Sequence, residues 1–92
     1  MIINLENLIS RADGKTSTEI DGETVILDME SGVYVGLDDI GTLVWSLIEK
    51  GISLQNLLNE ILLEYDVASQ QCLDDLQEFL SELVDGGYIA VH

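Results

Sequence analysis

The chain is predicted to be α+β, a winged helix-turn-helix in which a three-stranded antiparallel sheet is followed by three helices. Asp21-Gly22 separates two β-prone segments, and this dipeptide tolerates the positive φ that a two-residue hairpin turn demands. After residue 38, three apolar stripes with helical spacing follow one another. All strand signals come before all helix signals, which separates this plan from an alternating α/β chain.

Taken in order, residues 1–14 carry Ile2, Ile3, Leu5, Leu8 and Ile9 without a clean period, an N-terminal arm that is irregular or holds one short strand. Lys15 to Ile20 mixes Thr, Ser and Glu and suits an exposed strand. Thr24 to Leu27 returns after the hairpin, and a second turn, Glu30-Ser31-Gly32, leads to a third strand at Val33 to Leu37, so strands fill 15–37. Asp38 and Asp39 then offer carboxylate oxygens to the unpaired N–H groups of a helix start. The first helix carries Ile40, Leu43, Val44, Leu47 and Ile48 on one face and is closed by Gly51. Ser53 caps the second, with its stripe at Leu54, Leu57, Leu58, Ile61, Leu62 and Tyr65. Ser69 is expected to cap the third, whose stripe is Cys72, Leu73, Leu76, Phe79, Leu80 and Leu83 and whose stop is Gly86-Gly87. The three helices thus span 38–86, and the tail 87–92 packs back through Tyr88 to Val91. Ninety-two residues are expected to form one domain, 1–92, and 47% hydrophobic residues supply a core.

Eighteen acidic side chains against three basic ones, Arg11, Lys15 and Lys50, leave a net charge of −15. From Gly51 onward there are eight carboxylates and no Lys or Arg. Such a field repels phosphate backbones and anionic lipid and suits a partner bearing basic residues. No apolar run approaches the ~20 residues of a membrane span, and Met1-Ile2-Ile3-Asn4 lacks the basic start of a signal peptide. A cytoplasmic, free-standing protein is expected, with no nucleic-acid or membrane partner. One Cys and one His exclude both an intrachain disulfide and the usual zinc sets, so no metal or cofactor is expected.

A winged helix invites a DNA-binding reading, but the third helix would present Gln70, Gln71, Asp74, Asp75, Gln77, Glu78 and Glu82 to the groove. No Arg or Lys on it would hold phosphates. An acyl-carrier reading fails because Ile52-Ser53-Leu54 lacks the Asp that precedes the modified Ser in such carriers. Catalysis has little to stand on: Asp38-Asp39 and Asp74-Asp75 are sequence neighbours that point in different directions on a helix, and His92 is the last residue. Helix-start acids interacting with the macrodipole explain these carboxylates more simply. Cys72 reads as a small apolar helix residue. The chain is therefore expected not to be an enzyme.

A strand edge is what remains. Val33-Tyr34-Val35-Gly36-Leu37 contains neither the Lys nor the Pro that normally guards an edge, and Gly36 lets a second backbone approach. If the third helix lies alongside, edge and helix form a groove for an extended peptide, bound by β-augmentation. The plain alternative is that Val33, Val35 and Leu37 are core and Tyr34 is surface.

The ordered series Leu27-Asp28, Gly32, Tyr34, Gly36-Leu37-Asp38, Gly41, Trp45, Gly51, Tyr65, Asp75-Leu76 and Phe79-Leu80 resembles the PqqD-like family over roughly residues 15 to 90. That resemblance implies a recognition element for ribosomally made, post-translationally modified peptides, which binds the precursor's leader peptide as an added strand between the third strand and third helix. Carried onto this sequence, Gly32, Val33, Tyr34, Val35, Gly36 and Leu37 would form the edge, and Cys72, Asp75, Leu76 and Phe79 the opposing wall. Leu76 and Leu80 would be mainly core, with Asp75 and Phe79 facing the groove. Asp38 stands where members of pyrroloquinoline quinone synthesis commonly have Asn; with Trp45, it looks more like the stand-alone members of lasso-peptide clusters. The implied partners are then a leader-cleaving cysteine protease and an asparagine-synthetase-like cyclase. The alternatives are a peptide chaperone for a radical SAM enzyme, as in quinone synthesis, and an acidic winged-helix module for protein–protein contact.

Overall fold

The computed structural model describes residues 2–92. Its elements are β1 (Leu8–Arg11), β2 (Lys15–Ile20), β3 (Glu23–Asp28), β4 (Tyr34–Gly36), α1 (Asp39–Leu47), β5 (Ile52–Ser53), α2 (Leu54–Glu64), α3 (Ser69–Asp85) and β6 (Ile89–Val91). The wing is an antiparallel sheet ordered β2-β3-β4, as the turn chemistry requires. Asp21 and Gly22 both take positive φ, 53° and 83°, and so allow the tight β2–β3 turn. Between β3 and β4, Asp28 accepts from the Glu30 N–H at 3.0 Å and lies 3.7 Å from Lys15 Nζ. That backbone hydrogen bond is the main reason its carboxyl sits below the ordinary 3.8. Gly32 belongs to this turn, at φ 76°, and donates to the Asp28 carbonyl, so it precedes the strand edge.

A second sheet, ordered β5-β1-β6, was not expected from the sequence. It gathers the N-terminal arm, the residues before α2 and the C-terminal tail, each too short to show a period of two. Ile9 lies opposite both Ile52 and Val91 and is fully buried. Gln77 of α3 clamps the arm: its Nε2 donates to the Ile3 carbonyl at 2.6 Å, and the Ile3 N–H donates to its Oε1 at 2.9 Å. Gln77 is thus half-buried and structural rather than a solvent-facing residue of that helix.

The helix caps follow side-chain chemistry. Asp38 accepts from the Gly41 N–H at 2.8 Å and Ser53 from the Asn56 N–H at 3.1 Å. Ser69 does not cap α3: it is the first helical residue, and Ala68 at the cap position has no oxygen to offer. After α3 it is Gly87, at φ 76°, that turns left-handed, while Gly86 stays helical against the Tyr88 ring. Val44, Trp45, Ile48, Leu54, Leu57, Ile61, Leu76 and Leu80 form the center of the core with Ile26 of β3 and Leu37. Trp45 ties the two sheets to α1. Its Nε1 donates to Ser17 Oγ at 2.9 Å, and Arg11 lies 4.5 Å from its ring centroid while donating to its carbonyl from Nε and Nη2 at 3.0 and 2.7 Å. The stripe of α1 is rotated from expectation: Gly41 and Trp45 face the core, and Ile40 is 40% exposed.

Candidate functional site

β4 is an edge strand, paired among the described residues only with β3, and its register shows which of its groups are free. Val25 lies opposite Gly36, Ile26 opposite Val35 and Leu27 opposite Tyr34. Just beyond these pairs, the Leu37 N–H donates to the Thr24 carbonyl at 2.7 Å, and the Asp28 N–H donates to the Val33 carbonyl at 2.9 Å. Bonding direction alternates along an antiparallel strand, so Val33, Val35 and Leu37 turn their polar groups toward β3. The N–H and C=O of Tyr34 and Gly36 point away from the sheet, two donors and two acceptors on an open edge. Of the six strand positions singled out in the sequence, only these two present free backbone. Leu37 is core, Val35 is half-buried against it, and Val33 is exposed.

Gly36 has no need to be glycine for the fold. Its φ is not left-handed, and a Cβ built there would meet nothing within 4 Å. A strand glycine that nothing within the chain requires leaves room for a second backbone to approach closely.

β4 runs through Leu37 and Asp38 directly into the mouth of an apolar cavity of 290 Å³. Asp38, Ile40 and Gly41 supply one wall from the start of α1, and Gln71, Cys72, Asp75, Leu76 and Phe79 the other from α3, with Ile61 and Val67 closing the end. All four helix residues singled out in the sequence meet here. No β4 residue lines the cavity; the first turn of α1 occupies the side where the strand was expected. Asp38, Ile40, Gly41, Ile61, Val67 and Gln71 are not assigned to the groove by the sequence: helical periodicity puts Ile40 and Ile61 in the core and Gln71 on the exposed face, Asp38 reads as a helix-start acid, Val67 as part of a turn, and Gly41 only as a position of the family resemblance. The one usable signal was Gly at the third position after an Asp cap, where any other residue would crowd the cavity.

The lining is chemically quiet. Burial, reinforced by the Asp75 carboxylate, pushes the Cys72 thiol above its ordinary value, so it remains a neutral apolar side chain. Asp75 accepts from Gln71 Nε2 at 2.9 Å, one helical turn away. Asp38 is occupied by its cap. Among the described residues, no three His, Cys, Asp or Glu side chains are placed to hold a metal ion. The site offers an apolar hole, a polar mouth and a strip of backbone hydrogen-bonding groups, which suits holding a peptide.

Gly41 sets the width of the mouth. A Cβ on it would stand 3.0 Å from Leu37 Cβ, 3.2 Å from Asp38 Oδ1 and 3.3 Å from Phe79 Cζ. Gly41→Val is expected to lower stability by about 1–3 kcal/mol through overpacking, despite replacing a helical glycine. Urea denaturation measures this, and an unchanged or higher midpoint contradicts the geometry.

Comparison with known proteins gives a consistent picture. The family model described as coenzyme PQQ synthesis protein D (PqqD) matches residues 23–89. A solved structure of TbiB1 in complex with the TbiA(beta) leader peptide is 34% identical, with a TM-score of 0.82, over 87% of this chain and 93% of that one. A second, lasso peptide synthetase B1 complexed with the leader peptide, is 22% identical, with a TM-score of 0.80, over 89% and 96%; at that identity it speaks for the fold alone. No curated protein matches the chain.

Proposed function

The chain belongs to the PqqD family, and we propose that it is a non-catalytic recognition element that binds the leader region of a ribosomally synthesised precursor peptide and presents it to processing enzymes of lasso-peptide biosynthesis. The observation that carries this reading is the pair of outward-facing backbone groups at Tyr34 and Gly36 beside an apolar cavity. A leader strand laid antiparallel to β4 satisfies those four groups, at a net gain of roughly 0.5–1.5 kcal/mol for each bond. Side chains on alternate residues then face the helices, and one entering the cavity adds roughly 1.5–3 kcal/mol of apolar burial. The edge supplies affinity for any extended backbone, and the cavity supplies selection.

The Gly36-Leu37-Asp38 and Trp45 pattern favours the lasso-peptide setting over the quinone-synthesis one, in which the partner is a radical SAM enzyme, and the similarity to TbiB1 supports the binding of a leader peptide. In the lasso setting the complex hands the precursor to a cysteine protease that removes the leader and to an asparagine-synthetase-like cyclase. These steps belong in the cytoplasm, where the precursor is made; no helix among the described residues is long and apolar enough to cross a membrane. The charge of −15 speeds encounter with a basic leader or enzyme surface more than it adds to final affinity.

A synthetic leader from the precursor gene beside this one is expected to bind with 1:1 stoichiometry and to become extended. Calorimetry reads the stoichiometry, and isotope-edited infrared spectra of labelled leader read its conformation. A helical bound leader, or no binding, defeats the proposal.

A further inference from the structure

The wing sheet has two faces, and strand addition uses only one of them to reach the cavity. Its other face, turned away from the helices, holds an uncovered depression of 480 Å³ lined chiefly by Thr18, Ile20, Val25, Leu27 and Tyr34. Among the described residues, no charged side chain lines it. Tyr34 is 70% exposed there, and Gly36, directly opposite Val25, leaves that margin of the sheet bare. The hollow reaches the edge of the sheet beside the open backbone groups of Tyr34 and Gly36.

Directly opposed residues in an antiparallel pair place their side chains on the same face. A leader residue in register with Gly36 therefore projects onto this outer face, and its two sequence neighbours project toward the helices. We propose that the gap at Gly36, floored by Val25 and flanked by Tyr34, is a second side-chain subsite, which takes one bulky apolar leader residue of opposite parity to the residue in the cavity. This rests on the strand-addition reading above. The chemistry of the hollow selects an apolar occupant, since the polar side-chain groups on this face are threonine hydroxyls and the phenol. Position selects the leader, because a strand on β4 delivers a side chain to this place without further ordering. A second copy of the chain is opposed by −15 on each partner. Recognition then reads both faces of the leader strand, so a leader with apolar residues of one parity only is discriminated against.

The test is an alanine scan of the synthetic leader of the neighbouring precursor gene, measured by calorimetry against the parent protein and against Gly36→Val and Tyr34→Ala. With the parent, sensitive leader positions of both parities are expected, including one outer position whose alanine costs about tenfold, the scale of one buried apolar side chain. Gly36→Val fills the gap from a Cβ that meets nothing within 4 Å, and Tyr34→Ala removes its flank. On either variant the same outer alanine is expected to cost less than about twofold, while cavity-parity positions keep their full effect, the signature of pairwise coupling. Should Gly36→Val bind no peptide, Tyr34→Ala alone decides. Sensitive positions all of one parity, or an outer alanine whose cost is the same on parent and Tyr34→Ala, overturn the subsite and leave strand addition standing. No binding of the parent leader to the parent protein overturns strand addition itself.

Discussion

Gly36→Pro is expected to reduce leader binding at least hundredfold while leaving the helical spectrum and the denaturation midpoint of the free protein close to those of the parent. The Gly36 N–H points to the open edge and not to β3, so its loss breaks no bond within the sheet. Val35 before it is already extended, the conformation that a following proline requires. In the complex, a leader carbonyl loses its donor, at about 1–3 kcal/mol, and the ring stands at the closest point of approach between strands. Two effects of that size together, about 2–6 kcal/mol, reach the roughly 2.7 kcal/mol that a hundredfold change represents. Calorimetry on a variant shown to be folded settles the matter, and parent-like affinity would mean that β4 is not the edge in use.

The second large effect is expected at Phe79. Its ring lines the cavity from α3 and is only half-buried in the free chain, so it has apolar surface left to cover when a leader side chain enters. Phe79→Ala is expected to weaken binding ten- to hundredfold, about 1.5–3 kcal/mol. Asp75→Asn and Glu78→Gln are exposed changes, each expected to cost about 0.2–1 kcal/mol, a few-fold at most. Screening over ~8 Å at physiological salt erodes even that, so their effect fades as salt rises while that of Phe79→Ala persists. The three variants, measured by calorimetry at low and high salt, rank the contributions. A harmless Phe79→Ala beside two costly charge changes would place recognition on the acidic surface instead.

Much of the fold was legible in the sequence because it depends on local chemistry. Asp21-Gly22 fixed the first hairpin, and Asp38 and Ser53 fixed two helix starts, each through groups within three residues of one another. The second sheet was not legible. Leu8–Arg11, Ile52–Ser53 and Ile89–Val91 are two to four residues long and pair across most of the chain, so no window of sequence holds their pattern. Ser69 misled because a hydroxyl residue at a helix start resembles a cap, whether it stands at the cap or one position inside.

The candidate site was half legible for the same reason. Cys72, Asp75, Leu76 and Phe79 share a face of one helix, and helical periodicity alone brings them together. That Ile40 leaves the core stripe of α1 to line the cavity depends on how Trp45 rotates that helix, through its bond to Ser17 and its stack under Arg11. Which residues of β4 are free depends on parity. Period-two patterning shows which side chains share a face but does not say which backbone groups the neighbouring strand has taken.

Parity also supplies the most direct measurement, amide hydrogen exchange of β4 by NMR in the free and leader-bound protein. In the free protein the Leu37 amide, bonded to the Thr24 carbonyl, is expected to be protected, and those of Tyr34 and Gly36 to exchange as open groups. With leader bound, strand addition predicts strong new protection at Tyr34 and Gly36. If the leader binds and both amides still exchange as in the free chain, the leader is held elsewhere and strand addition on β4 is wrong.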